Sequence, residues 1–324
     1  MKCINKRIAV FISIFLVFFM TACGRSDLPY AFERNSALGT LSISDANSLY
    51  LQSDTFGHDL CIDDGNYKDV SVDTSYAVGV FDINQNDVIY GKNMYDEMTP
   101  ASITKLLTTL VALKYCDMNQ ILTFTDECKI NEKGAQKIGL DTGDTLTMEQ
   151  ALNILLLYSA NDVANMIAYN YEGGGYVEFI RLMNEEAKKL GATHTNFVNP
   201  HGLTEEGHYS SVYDLYLILN ELCKNEKFIK IESQGSYTTS YTKADGTIKT
   251  VELTSTNMYL NGSHEIPEGY KVIGGKTGTT EAAGKCLIIY FEDSAGNPFI
   301  ACILKSEDYD TLYADMDSLI SSTK

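Results

Sequence analysis

The chain has 324 residues, room for one large domain or two small ones at roughly 100–200 residues each. Hydrophobic residues make up 44% and charged residues 21%, a globular mixture that excludes wholesale disorder. Acidic residues outnumber basic ones 43 to 25, for a formal net charge of −18. That balance excludes a phosphate-binding basic face, and so a nucleic-acid partner, and it excludes simple electrostatic adhesion to anionic lipid.

At the N-terminus, Lys2, Lys6 and Arg7 precede an apolar run from Ile8 to Met20, interrupted only by Ser13. The run is shorter than the ~20 residues of a comfortable membrane span, and it has the layout of an export signal. An uncleaved anchor helix is the competing reading. Met20-Thr21-Ala22-Cys23-Gly24 follows and resembles a bacterial lipobox, with Met where Leu is usual. The resemblance implies that residues 1–22 are a signal peptide and that Cys23 is lipidated. Residues 23–70 carry frequent Ser, Asp and Asn without a sustained period, and are expected to form a lipid-anchored tether or a loosely docked arm. The folded body is then 71–324. Besides Cys3 and Cys23, the cysteines are Cys61, Cys116, Cys128, Cys223, Cys286 and Cys302. None form a CxxC pair, and runs such as Phe299–Leu304 suit buried thiols better than a disulfide framework.

Regular structure is expected from about Tyr76. Ala77–Phe81 and Val88–Tyr90 flank Asn84-Gln85-Asn86-Asp87 as a hairpin. A helix with a wide apolar face runs from about Ser102 to Tyr115. Thr147 and Gln150 make a capping box before the apolar run Ala151–Leu157. Tyr176–Leu190 is an amphipathic helix stopped by Gly191, and Ser211 caps another reaching Cys223. Tyr237–Lys243 and Thr247–Thr254 bracket a turn at Ala244-Asp245-Gly246. Lys285–Phe291 and Pro298–Leu304 bracket a second, and an apolar stripe from Tyr309 to Ile320 marks a last helix. Strands at both ends with helices between them predict an α/β (α+β) fold. Its antiparallel sheet is completed by chain-distant segments and flanked by terminal helices, with a helical subdomain inserted at about 102–235.

Three short motifs stand in order: Ser102-Ile103-Thr104-Lys105 at a helix start, Ser159-Ala160-Asn161 between helical runs, and Lys276-Thr277-Gly278 on a strand. A serine hydroxyl needs an adjacent base to act as a nucleophile. Residues three apart share a helix face, so Lys105 can lie beside Ser102. A lysine is a base only when neutral, which requires burial or a neighbouring cation, and Lys276 supplies the cation. Ser159 suits a proton relay to a leaving amine, Asn161 offers an amide to a peptide-like substrate, and Lys276 with Thr277 suits a terminal carboxylate. Each motif alone is weak; a lone lysine on a helix is usually solvated, and Ser159 and Asn161 could be caps. The ordered set carries the weight.

The segments around these motifs resemble those of the serine D-alanyl-D-alanine carboxypeptidases, the low-molecular-mass penicillin-binding proteins. They are Thr99–Leu106, Leu157–Ala164, Asn196–Leu203 with His208–Ser211, and Gly275–Thr280 with Ala283, Gly284 and Cys286. The resemblance covers roughly residues 75–305 and implies a β-lactamase/transpeptidase-like fold. It implies Ser102 as acyl-enzyme nucleophile, Lys105 as base, and Ser159 and Asn161 as active-site polar groups. Lys276, Thr277, Gly278 and Thr279 become substrate-binding residues, and the backbone N–H groups of Ser102 and Thr279 an oxyanion hole. The expected substrate is a peptidoglycan stem pentapeptide, the covalent inhibitors are β-lactams, and no cofactor or metal is called for. The expected protein is a monomer outside the cytoplasm, held at the membrane by its N-terminal lipid or signal, or secreted to the cell wall. The extra C-terminal β domain and amphipathic anchoring helix of many relatives are not expected. A class A β-lactamase would share the triplets but needs a Glu-x-x-Leu-Asn segment after the second motif, where this chain has Phe197-Val198-Asn199-Pro200-His201. A zinc peptidase would need ligand spacing that His58, His194, His201, His208 and His264 lack; His201 and His208 are expected to structure a loop. A non-catalytic lipoprotein that binds penicillin or peptidoglycan is the remaining alternative.

Overall fold

The computed structural model describes residues 60–72 and 74–324. Cys23 and the segment expected to be the signal lie outside them. The elements in chain order begin with β1 (Ala77–Asp82), β2 (Asp87–Lys92), a 3-10 turn (Ala101–Thr104), α1 (Lys105–Tyr115), β3 (Ile121–Thr123) and β4 (Thr145–Thr147). Next come α2 (Met148–Leu157), α3 (Asn161–Tyr169), α4 (Gly175–Lys189), α5 (Val212–Cys223) and α6 (Glu226–Glu232). The chain closes with β5 (Ser236–Thr242), β6 (Ile248–Thr254), α7 (Met258–Asn261), β7 (Tyr270–Thr280), β8 (Gly284–Asp293), β9 (Pro298–Ser306) and α8 (Tyr309–Ser321).

The main sheet is antiparallel, with strand order β2-β1-β9-β8-β7. The N-terminal hairpin therefore joins strands from the far end of the chain, as expected. Both faces of its centre are buried. Leu287, Ile289 and Phe291 of β8 pack with Ala301 and Ile303 of β9 against Leu312, Tyr313, Met316 and Ile320 of α8. Cys286 and Ile288, with Ile300, Cys302 and Leu304, point the other way into the helical layer. A strand covered on both faces loses the polar half of its alternation, which is why β8 and β9 read as unbroken apolar runs. Each fully buried Leu, Ile or Phe contributes roughly 1.5–3 kcal/mol.

The helical layer is built around α1, whose residues Lys105–Ala112 are all buried. A helix apolar on every side is a core helix. The Thr147–Gln150 capping box starts α2, and the Ser211 hydroxyl accepts the Asp214 N–H at the start of α5. Two features differ from expectation. The 102–235 insertion is not wholly helical, and the 237–254 hairpin does not join the main sheet. Instead β3, β4, β5 and β6 form a separate four-stranded sheet, joined through the single Thr145–Thr242 pair. Its strands bury one face only, as with Thr239 and Tyr241 of β5. Alternation reports a half-buried strand but not which partner it pairs with.

The segment 60–72, which through residue 70 was expected to be part of a tether or a loosely docked arm, is docked. Ile62 N–H donates to Asn86 O at 3.0 Å and Lys68 N–H to Ile89 O at 2.9 Å. Cys61 is fully buried; its N–H donates to Tyr216 Oη, and its carbonyl accepts from Tyr213 Oη, both at 2.8 Å. All six cysteines of the described residues are free thiols.

Candidate active site

The first motif begins one residue after a strained position: Ala101 has φ +48°, a left-handed conformation unfavourable for a residue with a side chain. Ser102 sits in the 3-10 turn, and Lys105 opens α1. Expectation placed Ser102 in the α-helix itself; the tighter turn ahead of it still brings the two side chains together. Lys105 is fully buried. Its Nζ lies 2.8 Å from Ser102 Oγ, 2.8 Å from Asn161 Oδ1 and 2.6 Å from His201 O. Asn161 Oδ1 and His201 O can only accept. A neutral amine has two N–H groups and one lone pair, so with both N–H groups given to those oxygens the lone pair faces the Ser102 hydroxyl. Burial, then the Lys276 charge, hold Lys105 well below the ordinary lysine range, with Asp162 opposing.

The helix carrying this lysine is tied to the loop 196–211 at three points. Thr104 Oγ1 lies 2.8 Å from His208 Nε2, Lys105 Nζ reaches His201 O, and Thr108 Oγ1 donates to Pro200 O at 2.6 Å. Both histidines structure this loop. His201 Nδ1 accepts the Leu203 N–H and His208 Nδ1 accepts the Val198 N–H, which assigns the remaining proton of each ring to Nε2. Burial, then the nearby Lys105, push His201 down to about 3 and His208 down to about 4.

The second motif joins α2 to α3. Ser159 has φ +63°, and its buried Oγ has no hydrogen-bond partner. Asn161 starts α3 and donates from Nδ2 to Gln136 O at 3.2 Å. The adjacent Asp162 carboxylate accepts the N–H groups of Ile138 and Gly139, fixing the 132–139 loop over the site.

The third motif lies on β7. Gly278 passes so close to the first motif that a Cβ there would stand 2.8 Å from Pro100 O and 3.2 Å from Ser102 N. Lys276 is fully buried and donates to Thr277 O at 3.2 Å. Burial lowers its pKa, and Glu232 opposes that shift. Thr277 Oγ1 is 2.6 Å from Thr256 Oγ1, and Thr279 Oγ1 is 3.0 Å from Tyr309 Oη.

A cavity of about 500 Å³ opens over these groups, lined by Ser102, Ser159, Asn161, Thr277, Gly278 and Thr279. Lys105 and Lys276, fully enclosed, stand behind its lining. The structure thus gathers all the candidate residues of the three motifs into one place. Sequence reasoning missed several others. Gln136, Thr256 and Tyr309 line the cavity and carry no local signal. Glu232 had one: it stands four residues after Phe228, a charge on an otherwise apolar helix face.

The fold is that of the DD-transpeptidases. The Streptomyces K15 DD-transpeptidase superposes with TM-score 0.71 at 24% identity, over 79% of this chain and 98% of that one. The D-alanyl-D-alanine carboxypeptidase of Mycobacterium tuberculosis H37Rv superposes with TM-score 0.69 at 25% identity, over 80% and 94%. Residues 67–307 match the peptidase S11 family, D-alanyl-D-alanine carboxypeptidase, and the chain belongs to that family. Its relatives include the D-alanyl-D-alanine carboxypeptidase DacF of Bacillus subtilis, 34% identical over 207 residues, 62% of this chain and 49% of DacF. DacB2 of Mycobacterium tuberculosis is 31% identical over 212 residues, 64% of this chain and 67% of DacB2. The matched region thus spans about half the length of the first relative and two thirds of the second.

Proposed function

We propose that the protein is a serine D-alanyl-D-alanine carboxypeptidase that removes the terminal D-alanine from peptidoglycan stem pentapeptides, and that β-lactams acylate the same serine. The observation that carries this reading is the set of three contacts at Lys105 Nζ, which in the neutral amine aim its lone pair at Ser102. Ser102 Oγ attacks the carbonyl carbon of the penultimate D-alanine while its proton passes to Lys105. The tetrahedral oxyanion is held by the backbone N–H groups of Ser102 and Thr279. As the C–N bond breaks, the Ser159 hydroxyl, which has no competing protein partner, delivers the proton to the leaving amine. In that relay the Ser159 hydroxyl takes up the proton held by Lys105 as it gives its own to the amine, so Lys105 is neutral again. Water then attacks the acyl ester, its proton passing through Lys105 to Ser102 Oγ, and the shortened peptide is released. The Thr277 hydroxyl, on the cavity lining, meets the carboxylate of the departing D-alanine, and the enclosed Lys276 ammonium supplies positive charge from behind it. A β-lactam presents the same amide and carboxylate, but its leaving group stays tethered after ring opening.

Two other readings meet specific obstacles. For a β-lactamase, the carboxylates lining the cavity are Glu132 and Glu281, both exposed, rather than one buried beside Ser102 to activate water. A non-catalytic binder has no use for a buried lysine held well below the ordinary lysine range under a serine. The working place of the enzyme is outside the cytoplasm, on cell-wall peptidoglycan, with attachment through the N-terminal lipid or signal. Among the described residues no helix is long and apolar enough to cross a membrane. The deciding experiment combines labelling by a fluorescent penicillin with release of D-alanine from a stem pentapeptide. Labelling with release supports the carboxypeptidase; labelling without release points to a sensor, and no labelling overturns the acyl-enzyme.

A further inference from the structure

Glu232 is the last residue of α6, and its side chain enters the protein interior rather than solvent. The end of that helix abuts β7 just before the third motif: a Cβ on Gly274 would stand 2.8 Å from Glu232 Cβ. Glu232 Oε2 accepts the N–H of Gly275, the residue immediately before Lys276, at 3.3 Å. Glu232 Oε1 is buried with no hydrogen-bond partner. An isolated buried carboxylate costs several kcal/mol, and burial pushes Glu232 up to about 7, so its charge is kept only where an opposite charge faces it. The other charged residues of the helix, Glu226, Lys227 and Lys230, are exposed and do not serve. Lys276 does; the electrostatic interaction between the two is mutual.

We propose that Glu232 is a positioning residue for the reaction: its carboxylate, lodged behind β7, holds Lys276 in the ammonium form that a substrate carboxylate requires. The inference rests on the reading of Lys276 as the carboxylate-binding cation. Its logic follows from the neighbours. Lys276 shares the interior with a second buried cation, Lys105 on α1. Across β8 it is paired with Ile288, which carries no charge. Asp162 on α3 interacts with Lys105, as do His201 and His208 from the loop 196–211, both neutral by burial. Cys223 on α5 faces Glu232 as a protonated thiol. Glu232 is therefore the anion on the Lys276 side of the pair of lysines, as Asp162 is on the Lys105 side. This division lets one lysine stay charged while the other gives up its proton. Burial lowers Lys276 and raises Glu232, and each charge opposes the shift of the other.

The test is the pH profile of acylation of the full chain by a fluorescent penicillin, measured as the second-order rate constant, in wild type and Glu232→Gln. Glutamine keeps an acceptor for the Gly275 N–H but removes the charge, so a purely structural role predicts superimposable profiles. The inference predicts that the alkaline limb moves to lower pH by roughly one to three units. Glu232→Asp, which retains the charge, should move the limb less than Glu232→Gln does. A limb that coincides with wild type in Glu232→Gln overturns the inference while leaving the acyl-enzyme intact; a wild type that no penicillin labels removes the reading on which it rests. A second measurement covers a poorly folding variant. In a thermal double-mutant cycle at pH 8, Lys276→Met leaves the carboxylate uncompensated, and adding Glu232→Gln should restore part of the lost melting temperature. Additive losses in that cycle overturn the pairing.

Discussion

At the scale of single residues, Lys105 and Lys276 are chemically alike and physically opposite. Both are buried, yet Lys105 spends its two N–H groups on Asn161 and His201 carbonyl oxygens, whereas Lys276 has a carboxylate behind it. Acylation is therefore expected to rise with pH as Lys105 loses its proton and to fall again as Lys276 loses its own. Lys105→Arg should cost on the order of 10²–10⁴ in kcat/KM, because guanidinium stays protonated and cannot accept the serine proton. Lys276→Arg keeps a cation and should lose less, chiefly through a raised KM for peptide. If the two variants acylate equally well, the assignment of base and carboxylate binder is wrong. Ser102→Ala should abolish penicillin labelling with the melting temperature little changed; persistent labelling would refute the nucleophile. The pairing of Ser102 with Lys105 was legible in the sequence because residues three apart at a helix start come together. Glu232 was legible only as a charge on an apolar helix face; nothing local tells that the end of its helix abuts β7.

At the scale of elements, boundaries set by local chemistry were legible and pairings were not. The Thr147 capping box is self-contained: Thr147 N–H donates to Gln150 Oε1 at 2.9 Å, and Gln150 N–H to Thr147 Oγ1 at 3.2 Å. Thr147→Ala should therefore cost about 1 kcal/mol in urea unfolding. A loss indistinguishable from zero would mean that packing alone fixes the start of α2. The hairpin β5–β6 was equally legible as a hairpin, but its place beside β4 depends on contacts some hundred residues away in sequence. The docking of residues 60–72 is likewise a long-range matter. Cys61 meets Tyr213 and Tyr216 of α5, and Tyr216 stacks on Phe81 with ring centroids 4.1 Å apart. A segment so polar reads as either a tether or a loosely docked arm until that pocket is seen. Truncation at residue 75 should strip both tyrosine hydroxyls of their partners and lower the melting temperature by several degrees. An unchanged melting temperature would show that the docked segment contributes nothing to the stability of the body.

At the scale of the whole molecule, an antiparallel sheet completed by chain-distant segments was legible because strands stand at both ends of the chain, whereas the order β2-β1-β9-β8-β7 is set by contacts that only the structure shows. The cost of building the site inside such a body is charge burial, and it sets how stability responds to acid. His201 and His208 are neutral in the fold, held at about 3 and about 4 by burial and by Lys105, against an unfolded value near 6.5. Their folded pKa values are depressed, so the unfolded chain binds more protons as the pH drops. Stability should then be highest above pH 6.5 and decline continuously through the range down to about 4, well before carboxylate protonation dominates. Each histidine adds a slope of about 1.4 kcal/mol per pH unit within its window. Urea unfolding between pH 7 and pH 4.5 measures this directly. His208→Gln keeps an acceptor for the Val198 N–H and a donor for Thr104 while removing one titrating group. It should be less stable than wild type at pH 7, yet show a shallower fall with acid, so that the two curves converge. Parallel curves would mean that His208 is already protonated in the native state, and that the neutral histidine loop holding Lys105 in place has been misassigned.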